Sequence, residues 1–330
     1  MQCLRAVAAI SVVTFHAANG GFEVGQAGVD VFFIISGFIM WAVTARPITP
    51  TVFLRDRVAR IVPLYWTATA LMAVGSGLSL FPHLHADLSD YLRSLFFIPY
   101  RQDGRHAWPL LVAGWTLNYE MFFYLLCAAL LLANLKQRLI SLTVVLTALT
   151  LVGLLVHFSN VFYGFYTNSI VLEFAFGLLL AALSLHWEAR SPWVGGLLIL
   201  IGCAAFVGFS VTHLHLNRIV QWGLPSLLLV AGSVWLEQAG VSITPRPLVY
   251  IGDASYSIYL IHPFVISVGR KLVPHAWAPA AWLVMLMASL AIGCLVYVGF
   301  ERPVMRLLRP ARRHPQDVEV TNEVLSGGQI

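Results

Sequence analysis

The sequence predicts an all-α, polytopic integral membrane protein of about ten transmembrane helices with both termini cytoplasmic, on three observations. Of the 330 residues, 59% are hydrophobic and only 11% carry charge, with mean hydropathy +0.80, whereas a soluble globular domain carries about 25% charged residues. The apolar residues fall in runs of the length that a hydrocarbon core of about 30 Å demands of a helix. The basic residues are shared unequally between alternate connections, which orients such a bundle.

The runs are 2–18, 28–46, 58–81, 109–135, 139–157, 168–187, 193–212, 218–236, 248–268 and 279–300. They leave no room for a soluble domain. Residues 1–301 form the membrane domain, and 302–330 a basic then polar cytoplasmic tail whose end, QDVEVTNEVLSGGQI, has the composition of partly disordered chain. With the amino terminus inside, the inner connections and tail hold 13 Lys and Arg. The outer ones hold six, namely Arg93, Arg101, Arg105, Arg218, Arg270 and Lys271. That excess places both termini in the cytoplasm and the protein in the cell inner membrane. The net charge of +5 is then a topology signal that requires no nucleic acid, while it suits anionic membrane lipids or an anionic cofactor at the inner surface. Cys3, Cys127, Cys203 and Cys294 lie in separate runs without paired spacing and read as packing residues. Two HLH runs, His83–His85 and His213–His215, read as interfacial polar residues or a metal pair, and no metal is expected to be needed.

The first run carries Arg5 near its start and His16 near its end. A signal peptide explains a basic start but gives the histidine no role. Eleven residues at 100° each make three turns plus about 20°, so both side chains lie on one helix face, roughly 16 Å apart along the axis. Ionisable groups at such depth face the bundle interior or a hydrated passage. Snorkelling to the two headgroup layers is the alternative.

In the second run, GVDVFFIISGFIMW, Asp30 stands at the depth of His16 because the connecting loop is short. It is either the orienting carboxylate of a histidine base or a helix cap. FLRDRVARIVPLYW sets Arg57 and Arg60 three apart on the first turn of the third helix, near Arg46 and Arg55. Forked guanidinium donors there suit phosphates, and the positive-inside rule alone also puts arginines there. GWTLNYEMFFYL puts Glu120 about eleven residues into its run, near the bilayer middle, with Asn118 beside it and Tyr124 one turn on. A carboxylate at that depth is a functional candidate. Glu173 reads as a cap or interface residue, and Glu301 as an ion-pair partner of an inner arginine. In IGDASYSIYLIHPF, Ser255, Tyr259 and His262 recur at four and three, forming one helical stripe that ends in a histidine. Helix packing is the alternative for the serines.

Arg5-x10-His16, VDVFFIISGF, Arg57-x-x-Arg60, WTLNYEMFFY and SYSIYLIHP occur in that order over nearly the whole chain. Together they resemble the acyltransferase-3 family of integral-membrane acyltransferases, with GQAGVDVFFIISGFIMW and GWTLNYEMFFYLL most similar to the bacterial exopolysaccharide O-acetyltransferases. The resemblance implies acyl-CoA, usually acetyl-CoA, as donor and a polysaccharide or lipid-linked oligosaccharide hydroxyl as acceptor. It also implies that Arg5 and His16 are essential and that the Arg-x-x-Arg pair acts on the donor. The hydrolase-like extracytoplasmic domain of some relatives is expected to be absent.

Residues and resemblance meet in one expected mechanism. Arg57, Arg60 and Arg5 hold the nucleotide end of the donor, the pantetheine arm follows the Arg5 to His16 face, and His16 takes the proton of the attacking hydroxyl. Asp30 or Glu120 fixes the imidazole tautomer, and Tyr124, Asn118 or the Ser255–Tyr259–His262 stripe donates to the oxyanion. An acyl-histidine relay uses the same residues. The rival classes are a transporter or flippase for lipid-linked sugars and a scaffolding subunit, and a homo-oligomer is compatible with all three.

Overall fold

The computed structural model describes residues 1–78, 87–101, 107–187, 189, 191–212, 216–242, 244–272 and 278–308. Both HLH runs and the tail beyond residue 308 lie outside them. The helices in chain order are α1 (Gln2–Ala17), α2 (Gly28–Thr44), α3 (Pro50–Gly77), α4 (Leu88–Leu95), α5 (Gly114–Ala129), α6 (Leu135–Leu155) and α7 (Val161–Tyr166). There follow α8 (Leu172–Ser184), α9 (Pro192–Thr212), α10 (Leu224–Gln238), α11 (Arg246–Asp253), α12 (Ser255–Leu272), α13 (Ala278–Val296) and α14 (Arg302–Leu308). Short π-helical stretches lead into α10 at Ile219–Gly223 and leave α13 at Tyr297–Glu301. No strand occurs among the described residues.

Six helical stretches are long and apolar enough to cross a membrane: Glu23–Thr44, Pro50–Gly77, Leu135–Leu155, Pro192–Thr212, Ile219–Gln238 and Ala280–Leu308. Two more, Gln2–Ala17 and Ser169–Ser184, are apolar but shorter. This is a multi-pass membrane protein. Each of the ten expected runs holds a helix, but among the described residues several are shorter or more interrupted as helices than as sequence. The 109–135 run yields only the 16 residues of α5. The 248–268 run is two helices, α11 and α12, meeting at Ala254. α3, by contrast, starts eight residues early, because Thr49 accepts the Val52 backbone N–H and Pro50 fits the first turn. Arg57 and Arg60 are therefore the eighth and eleventh residues of α3, not members of its first turn, and Glu120 is the seventh residue of α5.

The core gathers around α2, whose inner face packs Phe33 on Phe174, with Phe174 stacked in turn on Phe123. α2 and α8 cross with backbones in contact: a Cβ on Gly37 would stand 2.2 Å from the Phe174 carbonyl oxygen, and one on Gly177 2.0 Å from that of Ile34. Helices in lipid gain little by burying apolar surface against each other, so small residues that let backbones touch supply the association. Gly177→Leu is expected to abolish the monodisperse protein seen on gel filtration in detergent, because the overlap is with backbone that cannot swing aside. Gly196→Leu, facing open space, should behave as wild type.

At the opposite end of α2, Arg138 is buried and donates to the carbonyl oxygens of Leu130 (3.3 Å), Leu131 (2.9 Å), Ala133 (2.9 Å) and Thr44. These lie at or just beyond the C-terminal ends of α2 and α5, where helix carbonyls lack intrahelical donors. A residue that reads as one more inner-loop arginine is thus a clamp on two helix ends.

Candidate active site

One face of α1 meets the stripe of α12 at two levels. At the first, Arg5 donates to the Ser255 hydroxyl through Nε (3.3 Å) and Nη2 (2.9 Å). At the second, the His16 and His262 rings lie with centroids 5.1 Å apart. The stripe therefore does not only pack helices; it supplies each end of the Arg5 to His16 face with a partner 246 to 250 residues away in the chain.

His262 is 2% exposed and its Nδ1–H donates to the Tyr259 carbonyl at 2.6 Å. A carbonyl only accepts, so Nδ1 carries a proton, which in the neutral form of the ring leaves the lone pair on Nε2. His16, on the last turn of α1, is exposed, and its backbone carbonyl is held by Arg270 Nη2 at 2.8 Å. The pair thus has one ring fixed inside the bundle and one facing out of it.

Below the histidines a cavity of about 100 Å³ runs along α2 from Met40 to Val29. The eleven steps between them correspond to roughly 16 Å of helix. Arg5, Arg57, Arg60, Glu120, Tyr124 and Ser255 line its polar part, and Val29, Phe32, Thr116 and Tyr259 its apolar end. Three guanidiniums against one carboxylate make a lining that favours an anion. Arg57 sits over the rings of Phe53 and Tyr124, 5.9 Å from each centroid, and its buried Nε has no hydrogen-bond partner among the described residues. A guanidinium held by aromatic faces with its Nε unspent suits phosphate or carboxylate recognition.

Two sequence expectations need correction. Asp30 does not orient His16. It is fully buried and takes both arms of Arg218, Nε to Oδ1 at 3.1 Å and Nη2 to Oδ2 at 2.6 Å. Val29, Phe32, Phe33 and Ser36 of α2 face the cavity, and one residue's rotation of about 100° from Val29 turns Asp30 away. Glu120 does not reach His16 either. It accepts hydrogen bonds from Ser36 (3.3 Å) and from Tyr124, among the arginines of the cavity. Tyr124 is therefore engaged by Glu120. Asn118 is buried, does not line the cavity, and has no hydrogen-bond partner for either amide atom among the described residues.

Arg218 is the residue that sequence reasoning missed. Its one signal is an arginine directly before an apolar run at the outer level of Asp30. Glu173 completes this group: fully buried beside Asp30, its carboxylate oxygens have no donor among the described residues. Glu301, buried at the end of the π-helical turn, accepts from Ser257 at 2.5 Å, and no ion pair to it is seen among the described residues.

Residues 1–298 match the family described as an acyltransferase domain. The chain belongs to the acyltransferase-3 family. It is an enzyme, an acyltransferase. It is 39% identical over 305 residues to the exopolysaccharide production protein ExoZ of Rhizobium meliloti, covering 90% of this chain and 96% of that one. It is 25% identical over 375 residues to the acyltransferase MdmB of Streptomyces mycarofaciens, covering 94% and 92%. It is 23% identical over 343 residues to the O-acetyltransferase OatA of Staphylococcus aureus, covering 92% of this chain but 56% of that longer protein. No solved structure matches it.

Proposed function

We propose that this acyltransferase moves an acetyl group from cytoplasmic acetyl-CoA to a hydroxyl of a cell-surface polysaccharide or its lipid-linked precursor. The observation that carries this is a cavity with three arginines at one end, leading along the Arg5 face toward an exposed histidine backed by a buried one. Similarity to an exopolysaccharide production protein favours a polysaccharide acceptor. The termini face the cytoplasm of a cell inner membrane, so donor and acceptor approach from opposite ends.

Arg57 and Arg60 bind the phosphates of the donor, and Arg5, held by Ser255, guides its arm toward the histidines. His16 removes the proton of the acceptor hydroxyl as the oxygen attacks the thioester carbonyl. The carbon–sulfur bond then breaks, and the thiolate takes that proton to leave as free CoA. His262, with its tautomer set by the Tyr259 carbonyl, takes the orienting role that Asp30 and Glu120 do not fill. The Tyr259 hydroxyl, at the end of the cavity, is the nearest donor on the stripe for the developing oxyanion.

The direct test is release of free thiol from acetyl-CoA by purified protein, dependent on added acceptor. Proton NMR of polymer from a deletion strain should lack acetyl signals that its parent shows. A transporter or flippase releases no thiol. Replacing Arg57 and Arg60 with Ala should raise the donor KM about 10- to 100-fold with kcat at saturation little changed, as expected when charged hydrogen bonds of about 1.5–3 kcal/mol are lost from uniform binding. An unchanged donor KM in folded protein would leave these arginines as topology signals alone.

A further inference from the structure

The cavity stops before the histidines. Its lining includes Tyr259 but neither His16 nor His262, although all three α12 residues share one stripe. Ser255 marks the level of Arg5 and His262 the level of His16. Tyr259 is the rung between them, four residues above Ser255 and three below His262, or roughly 6 Å and 4.5 Å of helix rise. Its ring lies across this step. It meets Phe32 edge to face with centroids 6.1 Å apart, and its centroid is 5.7 Å from that of His262. Its hydroxyl is tied across the bundle to Thr116 at 3.1 Å. Tyr259 is 8% exposed and Thr116 5%, so both ends of that tie are packed.

The geometry points to Phe32, Thr116 and Tyr259 as a sized stop between the donor cavity and the histidine pair, one that admits a short acyl group and excludes longer ones. This rests on the reading of the cavity as the acyl-CoA site and goes beyond it by naming what sets the acyl class. A thioester lying along the Arg5 face brings its acyl end against this aromatic wall. A butyryl chain lying there needs the volume that Phe32 fills, whereas the two-carbon acetyl group ends short of it. Close packing leaves no slack to yield to two further methylenes. The Thr116 tie matters because it holds the ring in the path: without it the ring gains room to turn towards His262.

The test compares acetyl-, propionyl- and butyryl-CoA as donors, read as kcat/KM from thiol release with the wild-type protein and the Phe32→Ala, Phe32→Leu and Thr116→Val variants. Wild type should fall at least about ten-fold for each added methylene, the range in which a pocket discriminates one methylene. Phe32→Ala should raise the butyryl-to-acetyl ratio by about ten-fold or more, Phe32→Leu by less, and Thr116→Val should relax the ratio without adding cavity. Phe32→Leu keeps most of the packed volume and stands in if the alanine variant does not fold. Arg57→Ala should lower all three donors together and leave the ratio alone. Active Phe32 variants with a wild-type chain-length profile would overturn the stop, as would a wild type that uses butyryl-CoA as well as acetyl-CoA. Failure of every acyl-CoA with wild type would instead sink the donor reading on which the stop depends.

Discussion

His16→Ala is expected to leave a folded protein that still binds CoA and to lower transfer by about 10²- to 10⁴-fold, the usual contribution of a positioned general base. The residue is exposed, and the hydrogen bond that ties this end of α1 to Arg270 uses the His16 backbone carbonyl, so truncation keeps that tie and costs only the ring's contacts beside the chemistry. Arg5→Ala should differ in kind. It removes the Ser255 contact and one of three cations of the cavity, so donor affinity should fall together with turnover. Equilibrium binding of CoA beside single-turnover transfer separates the two. Equal defects in binding for both variants would show that the two ends of the α1 face do not divide the work. His262→Gln should reduce turnover less than His16→Ala, because it leaves the base in place and loses only its neighbour.

Arg218→Met is expected to be the most destabilising single change around the N-terminal end of α2. Asp30 is fully buried whereas the Arg218 side chain is 27% exposed. Removing the arginine strands a buried carboxylate, with the carboxyl of Glu173 beside it; removing the aspartate frees an arginine that can turn to water. Breaking a buried pair from one side costs about 3–5 kcal/mol. Thermal unfolding in detergent should therefore show a large drop for Arg218→Met, a smaller one for Asp30→Asn, and partial recovery in the double variant, where Asp30 no longer leaves a charge stranded. Equal stability of Arg218→Met and wild type would remove any structural role from the pair. A drop confined to activity, with stability intact, would place the pair in the chemistry instead.

The contrast between these two predictions follows from what a sequence can carry. The Arg5 to His16 relation depends only on helix geometry within one run, and the stripe of Ser255, Tyr259 and His262 likewise, so both were legible from spacing. The apolar runs were legible for the same reason. Their ends were less so: whether Glu120 is the seventh residue of a helix or the eleventh depends on where backbone hydrogen bonding starts, and hydrophobicity alone does not mark that point. Arg57 and Arg60 were readable as a pair and misplaced in their turn, because the capping Thr49 and Pro50 lie outside the apolar run.

Run lengths, composition and spacing suffice to specify a multi-pass helical membrane protein of the acyltransferase-3 family and the one face of α1 that carries Arg5 and His16. The tertiary structure alone decided partners. Asp30 had two plausible roles along the chain, and packing gave it Arg218, 188 residues away. Glu120 went to Ser36 and Tyr124, and His16 received His262 in place of a carboxylate. Local spacing fixes which way a side chain points from its own helix, but which helix stands opposite is set by how backbones approach at sites such as Gly37 and Gly177, and that contact joins segments whose order in the chain says nothing about their distance in space.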